Sequence, residues 1–195
     1  MKRWLIFFSE FGIQIVYGTR CLGGFVGRDD DVKLFVQGKV EKWMKCIDIF
    51  SEAAIKYPHA VYSAFTKSLQ AEWIYLQRVV PNCGEEFVCL REKIQCSLIP
   101  AILGREILKR EFKLFEMPVK WGGLSFRDPV DTAYSSFNDS DQVTSMIQYA
   151  IMNGSRLDVL DHNAHVASCI KKSKDVRENE FQIKSEALIE ELPVG

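Results

Sequence analysis

A chain of 195 residues with 47% hydrophobic and 26% charged positions can bury a real core as one soluble domain, and its thirteen Phe and four Trp argue against disorder over most of its length. A formal net charge of −1 excludes bulk attraction to nucleic acid or to an anionic membrane, so any phosphate contact has to come from a locally basic face. No apolar run approaches the roughly 18 residues that span a bilayer, and Trp4 to Phe8 is too short for a signal-peptide core, so the expectation is an intracellular chain, cytoplasmic or nuclear, with no membrane partner.

Ile13 to Tyr17, then Gly18-Thr19-Arg20, then Cys21 to Val26 predict two short strands around a turn, because β-branched and aromatic residues flank a glycine that can adopt positive φ. Gly23, Gly24 and Gly27 thin out the second arm, which suits a bulge or a close backbone approach. From Val32 the period changes. Val32, Val36, Val40, Trp43, Ile47, Phe50 and Ala54 share one face of a long helix, capped by Asp29, Asp30 and Asp31 and ended by Tyr57-Pro58.

A second helix carries Val61, Phe65, Leu69, Trp73, Leu76 and Val80 and stops at the turn signal Pro81-Asn82-Cys83-Gly84. A third places Phe87, Leu90, Ile94 and Leu98 inward and ends at Pro100. Three amphipathic helices joined by short links predict an antiparallel bundle. Beyond it, the pattern predicts a weaker helix over 105–115 closed by Met117-Pro118, then a loop or extended segment at Trp121-Gly122-Gly123-Leu124. Asp128-Pro129 opens a helix that turns Val130, Ala133, Tyr134 and Phe137 inward, and another spans Asp141 to Asn153, ended by Gly154. Asp161 to Leu192 is mixed-charge and helix-prone, with a sparse stripe on Val166, Ile170, Phe181 and Leu188.

The residues that suggest chemistry mostly have simpler accounts. Asp29-Asp30-Asp31 has the composition of a two-metal carboxylate cluster, but aspartates that run straight into a helix complement its free N–H groups and dipole. His162, His165 and Cys169 fall at i, i+3 and i+7, a ligand-like spacing in a charged, poorly buried segment that reads as a solvated face. His59 stands alone, no G-x-S-x-G or G-x-x-x-x-G-K-[ST] motif occurs, and glycines 23 to 27 lack a following phosphate-binding helix terminus with Lys. The expectation is therefore no catalytic residue, no metal ligand and no cofactor. Six cysteines in no C-x-x-C pair read as reduced core thiols. Lys33, Lys39, Lys42, Lys45, Lys56, Lys67 and Arg78 outnumber acids across the first two helices, a pattern open to two readings: a solvated face, or a track along a phosphate backbone.

Gly18-Thr19-Arg20-Cys21-Leu22-Gly23-Gly24, Lys39-Val40-x-x-Trp43, Pro58-His59-Ala60-Val61-Tyr62-Ser63-Ala64-Phe65-Thr66, Leu69-Gln70-x-Glu72-Trp73, Arg78-Val79-Val80-Pro81 and Met117-Pro118-x-x-Trp121-Gly122-Gly123-Leu124 follow one another in that order. Together they resemble the region after the reverse transcriptase domain of retrotransposon RNA-directed DNA polymerases, especially those without long terminal repeats, over Gly12 to Asn153. The resemblance implies that Leu22 and Gly23 match a primer-grip hairpin whose backbone steadies the primer's 3′ end. It implies that the helices after it match the thumb, with Lys39, Lys42 and Lys45 as backbone contacts to an RNA–DNA or DNA template-primer. The segment from Pro118 to Leu124 resembles a recurring Gly-Gly-Leu packing element. The family's Mg²⁺-binding Tyr/Phe-x-Asp-Asp turn precedes the primer grip, and the chain begins after it, as a truncated gene model, a decayed element or one exon of a longer protein would.

The fold expected is mainly α: an N-terminal β-hairpin followed by a three-helix thumb-like bundle and further short helices. Residues 1–30 would be the end of a palm with its primer-grip-like hairpin, 31–100 the thumb-like bundle, 101–154 a smaller helical region and 155–195 a charged helical tail. The expected role is holding a primer-template duplex without polymerising alone, with the missing palm and fingers as a further partner. The alternative is a helical protein-interaction or scaffold protein with no nucleic-acid role. Severed from a palm, the hairpin edges and Trp4, Ile6 and Phe8 would be left uncovered, so self-association is also expected.

Overall fold

The structure, a computed structural model, describes residues 16–190. Trp4, Ile6, Phe8, the Ile13 end of the first predicted strand and Leu192 lie outside them. The chain is mainly helical behind an N-terminal antiparallel hairpin of β1 (Gly18–Cys21) and β2 (Gly24–Gly27). The hairpin was expected, but its turn was not: Cys21 pairs with Gly24, which moves the reversal from Gly18-Thr19-Arg20 to Leu22-Gly23. The two-residue turn formed here has positive φ at both positions, and β-branched Thr19 resists that, whereas Gly23 accepts it.

α1 (Asp29–Ala54) buries Val36, Val40, Trp43, Ile47 and Ala54 on one face, as the spacing requires. Asp29, Asp30 and Asp31 occupy its first turn and do not cap it; Arg28 is the N-cap, and its side chain makes no capping hydrogen bond. Their carboxylates act through the helix dipole instead. The second rod runs as α2 (Pro58–Ala64), a π turn (Phe65–Leu69) and α3 (Gln70–Val79), with Pro58 in its first turn.

The π turn follows from the apolar spacing. Val61, Phe65, Leu69 and Trp73 are all buried at steps of four, and in a regular α-helix each such step overshoots a full turn by about 40°. One widened turn takes up the drift and keeps the stripe on the core. The third rod repeats the device: a 3₁₀ turn (Glu85–Phe87), α4 (Val88–Lys93), a π turn (Ile94–Leu98) and α5 (Ile99–Leu103). Pro100 therefore does not end this helix. The wide turn before it gives the pyrrolidine ring room that a regular turn denies, and the rod stops at Gly104 in the left-handed region.

α1 packs against both rods, and the core is aromatic at its centre. Trp43 stacks on Phe87 at 6.0 Å and meets Trp73 edge-on at 6.0 Å, while its indole Nε1 donates to Glu72 Oε2 at 2.8 Å.

α6 (Lys109–Glu116) starts later than expected, because Arg105 folds back onto the Glu111 carboxylate, which also accepts the Leu108 N–H at 2.8 Å. A 3₁₀ turn (Val119–Trp121) and a loop follow, held on the second rod by two buried glutamines. Gln70 receives the Arg127 N–H and donates to the Ser125 carbonyl, and Gln77 donates to the Pro129 carbonyl and receives the Thr132 hydroxyl. Gly123 is required here: a Cβ would stand 2.0 Å from the Met117 carbonyl oxygen.

Asp128 caps α7 (Pro129–Asn153), a single helix where two were expected. Asn138 to Ser140 fall between the two expected helices, but none is Gly or Pro, and packing on α3 overrides a weak propensity. Tyr134 points outward, 74% exposed, against expectation, while Ala133 is buried. Gly154 ends α7 in the left-handed region, and α8 (Val159–Glu190) packs back along it. Val166, Phe181 and Leu188 are half-buried, but Ile170 is exposed. Among the cysteines only Cys83 is buried; Cys21, Cys89 and Cys96 are exposed and all six are unpaired, so core thiol describes one of them. Among the described residues no helix is long and apolar enough to cross a membrane.

Candidate nucleic-acid interface

Leu22 and Gly23 form the hairpin turn with φ of 47° and 84°, the pattern of a type I′ turn. Leucine in the left-handed region is strained by roughly 1–2 kcal/mol, so something must hold it. The Tyr75 hydroxyl, from α3, donates to the Leu22 carbonyl. A Cβ on Gly23 would stand 2.8 Å from the Tyr75 ring, and one on Gly24 would stand 3.0 Å from Val79. The turn is thus clamped against α3, with its Leu22 side chain 88% exposed. Tyr75 takes up one acceptor site of the Leu22 carbonyl, and beside it the turn presents an exposed apolar side chain.

Beside the turn, the hairpin meets α1 through aromatic rings. Arg20 and Phe25 are cross-strand partners on one face of the sheet, and Phe25 stacks on Phe35 of α1 at 5.3 Å. The Arg20 guanidinium lies 5.5 Å from the Phe35 ring centre and the Lys39 ammonium 5.9 Å from it. Two cations from separate elements therefore converge around one ring. Sequence reading missed Arg20, although strand alternation opposite Phe25 was the signal that could have found it.

The three lysines expected to contact phosphate differ in their surroundings. Lys39 is half-buried against Phe35, and Lys42 follows it, exposed, on the next turn. Lys45 is exposed, with Glu41, Asp48 and Glu52 as its helical neighbours at one and two turns. Its surroundings are mixed in charge, and the basic face narrows to Arg20, Lys39 and Lys42.

Two of the other candidate residues, Asp31 and His165, have partners within the fold. Asp31 pairs with Arg28 at 3.0 Å, and among the described residues no group of three His, Cys, Asp or Glu is placed to hold a metal. His165 joins α8 to α7: its Nε2 lies 2.9 Å from the Gln142 carbonyl, which makes that nitrogen the donor, and 3.2 Å from Ser145 Oγ. A protonated Nε2 cannot take the serine proton, so Ser145 is not activated. His59 is exposed on the first turn of α2.

A half-buried carboxyl stands apart from this surface. Desolvation, helped by the negative charges of Asp128 and Asp131, pushes Glu116 up to about 7. Asp128 is raised as well, chiefly by burial, while it caps α7 and pairs with Arg91 at 3.5 Å.

No protein-family model, curated protein or solved structure matches the chain. The reading of this surface accordingly rests on its own chemistry and on the motif resemblance.

Proposed function

We propose that the chain is the post-palm part of a retrotransposon-type reverse transcriptase, a primer-grip-like hairpin on a thumb-like helical bundle that holds a primer-template duplex without catalysing polymerisation itself. The observation that carries this reading is the convergence of Arg20 and Lys39 around Phe35, directly beside the clamped Leu22-Gly23 turn. A fixed turn presenting an exposed leucine, flanked by two positioned cations, suits a strand whose end abuts the turn and whose phosphates pass the cations. The sequence contains no Tyr/Phe-x-Asp-Asp, so Mg²⁺ and the chemistry of transfer would come from another segment.

A titration of a labelled RNA–DNA hybrid at two salt concentrations tests it. Binding that weakens as salt rises, and that loses slope when Arg20 and Lys39 are both changed to Gln, supports the reading. A flat and negligible response removes it.

The second reading, a helical protein-interaction module, is favoured by the apolar surface where α7 meets α8: Ile151 is 75% exposed, Met152 84% and Leu160 81%. It predicts hybrid-independent association that is lost when Met152 and Leu160 become Ser.

A further inference from the structure

We propose that Arg78, Arg127 and Arg177 form a second phosphate-binding cluster, built from three elements distant in sequence, that grips the backbone of the same nucleic-acid strand beyond the hairpin. The inference rests on the proposed function and extends it to residues that the motif resemblance does not assign.

The placement follows from the hydrogen bonds around α3. Gln70 holds the Arg127 backbone N–H at 2.9 Å and Gln77 holds the Pro129 carbonyl at 2.6 Å, so the segment carrying Arg127 runs along α3 toward Arg78, the neighbour of Gln77. From the other side, Ser173 of α8 bonds Asp139 of α7 at 2.7 Å and Glu178 binds Lys120 at 2.6 Å. Those two ties bring the intervening Arg177 toward the same loop. Its Nε donates to the Ser173 carbonyl at 3.0 Å, which fixes the base of its guanidinium while the side chain stays exposed.

The charges make this arrangement unusual for a surface that only faces water. Among the described residues none of the three arginines is within ion-pair distance of a carboxylate. Asp128, adjacent in sequence to Arg127, caps α7 and pairs with Arg91 instead. The Arg127 guanidinium is pressed below its ordinary value, first by burial and then by the charges of Arg177 and Arg78. Three like charges brought together by specific hydrogen bonds, none within ion-pair distance of a carboxylate, are complementary to an anion. Guanidinium forks match phosphate oxygens.

Arg78 also joins the cluster to the hairpin. It follows Tyr75 by one turn of α3, and Tyr75 is the residue that holds the Leu22 carbonyl. A strand that abuts the Leu22 turn therefore continues past Arg78 toward Arg127 and Arg177.

The test is a salt titration of the same labelled hybrid with the whole chain and with R78Q/R127Q/R177Q, folding being checked by circular dichroism. Loss of three contacts lowers the slope of log K against log salt by about 2.7, roughly 0.9 for each phosphate. If the triple variant is unfolded, R78Q/R177Q, which changes two exposed side chains, is expected to lower it by about 1.8. Tight binding with an unchanged slope in the folded variant overturns the cluster and leaves the proposed function standing. Absence of binding by the unaltered chain overturns both.

Discussion

The Tyr75 hydroxyl donates a hydrogen bond to the carbonyl of Leu22, a residue 53 positions away. That bond fastens the tip of the hairpin to the second rod of the bundle and offsets part of the strain of a leucine at positive φ. The same contact turns the hairpin into a fixed edge next to Arg20 and Lys39.

The strain at Leu22 predicts a separation of stability from binding. Leu22→Asn suits the first position of a type I′ turn and is expected to stabilise the chain by about 0.5–1 kcal/mol. Hybrid affinity should fall at the same time, because the exposed apolar side chain is lost. Denaturant melts and binding titrations on one preparation read both; a variant that is stabilised and binds unchanged denies the leucine any role.

Gly123 predicts a purely steric effect. A Cβ there would stand 2.0 Å from the Met117 oxygen and 2.6 Å from the Leu114 oxygen, both backbone atoms that cannot swing aside. Gly123→Ala is expected to cost on the order of 3–5 kcal/mol. Thermal unfolding measures it, and a cost under about 1 kcal/mol would show that the loop over α3 is free to shift.

The π turn in the second rod predicts tolerance to a deletion. Removing exposed Lys67 converts Phe65–Leu69 toward a regular helix and leaves the spacing of Val61, Phe65, Leu69 and Trp73 close to 3.6 residues per turn. Removing exposed Lys45 from α1, which has no π turn, rotates Ile47 and Ala54 about 100° off the core. Circular dichroism should show a folded, cooperatively melting Lys67 deletion and a disrupted Lys45 deletion.

Glu116 predicts a pH dependence of stability. Its carboxyl titrates near 7 in the folded chain against an ordinary value of 4.5, so the folded state holds a proton that the unfolded state releases. Its contribution is fully present below 4.5 and is lost as pH rises through about 7. Asp128, raised in the same direction, adds to that slope. Allowing for solvent screening of a half-buried group, the effect is on the order of 1–2 kcal/mol. Glu116→Gln should flatten the stability profile between pH 4.5 and 7 and stabilise the chain at higher pH. Urea melts across that range check it.

Much of the bundle was legible because it is periodic. Val36 to Ile47, Phe65 to Val80 and Phe87 to Leu98 were expected to face inward from spacing alone, and they are buried. The hairpin was legible as a hairpin, and Pro58, Gly154 and Asp128 marked boundaries by their backbone and capping chemistry. Leu22, Gly23 and Lys39, singled out by the motif resemblance, lie where the hairpin meets the helices, whereas Lys45 has a mixed-charge surrounding.

Local pattern thus determined which residues would be helical and which faces would be dry, since both depend on neighbours three and four positions away. Only the tertiary structure decided where the hairpin reversed, that Pro100 sat inside a helix, that residues 129–153 formed one helix, and that Arg20 and Lys39 met the same ring. Most of those outcomes depend on a partner remote in the chain: Tyr75 for Leu22, Phe35 for Arg20, α3 for α7. A contact between distant segments leaves no period in either one, so it becomes visible only once the chain has closed on itself.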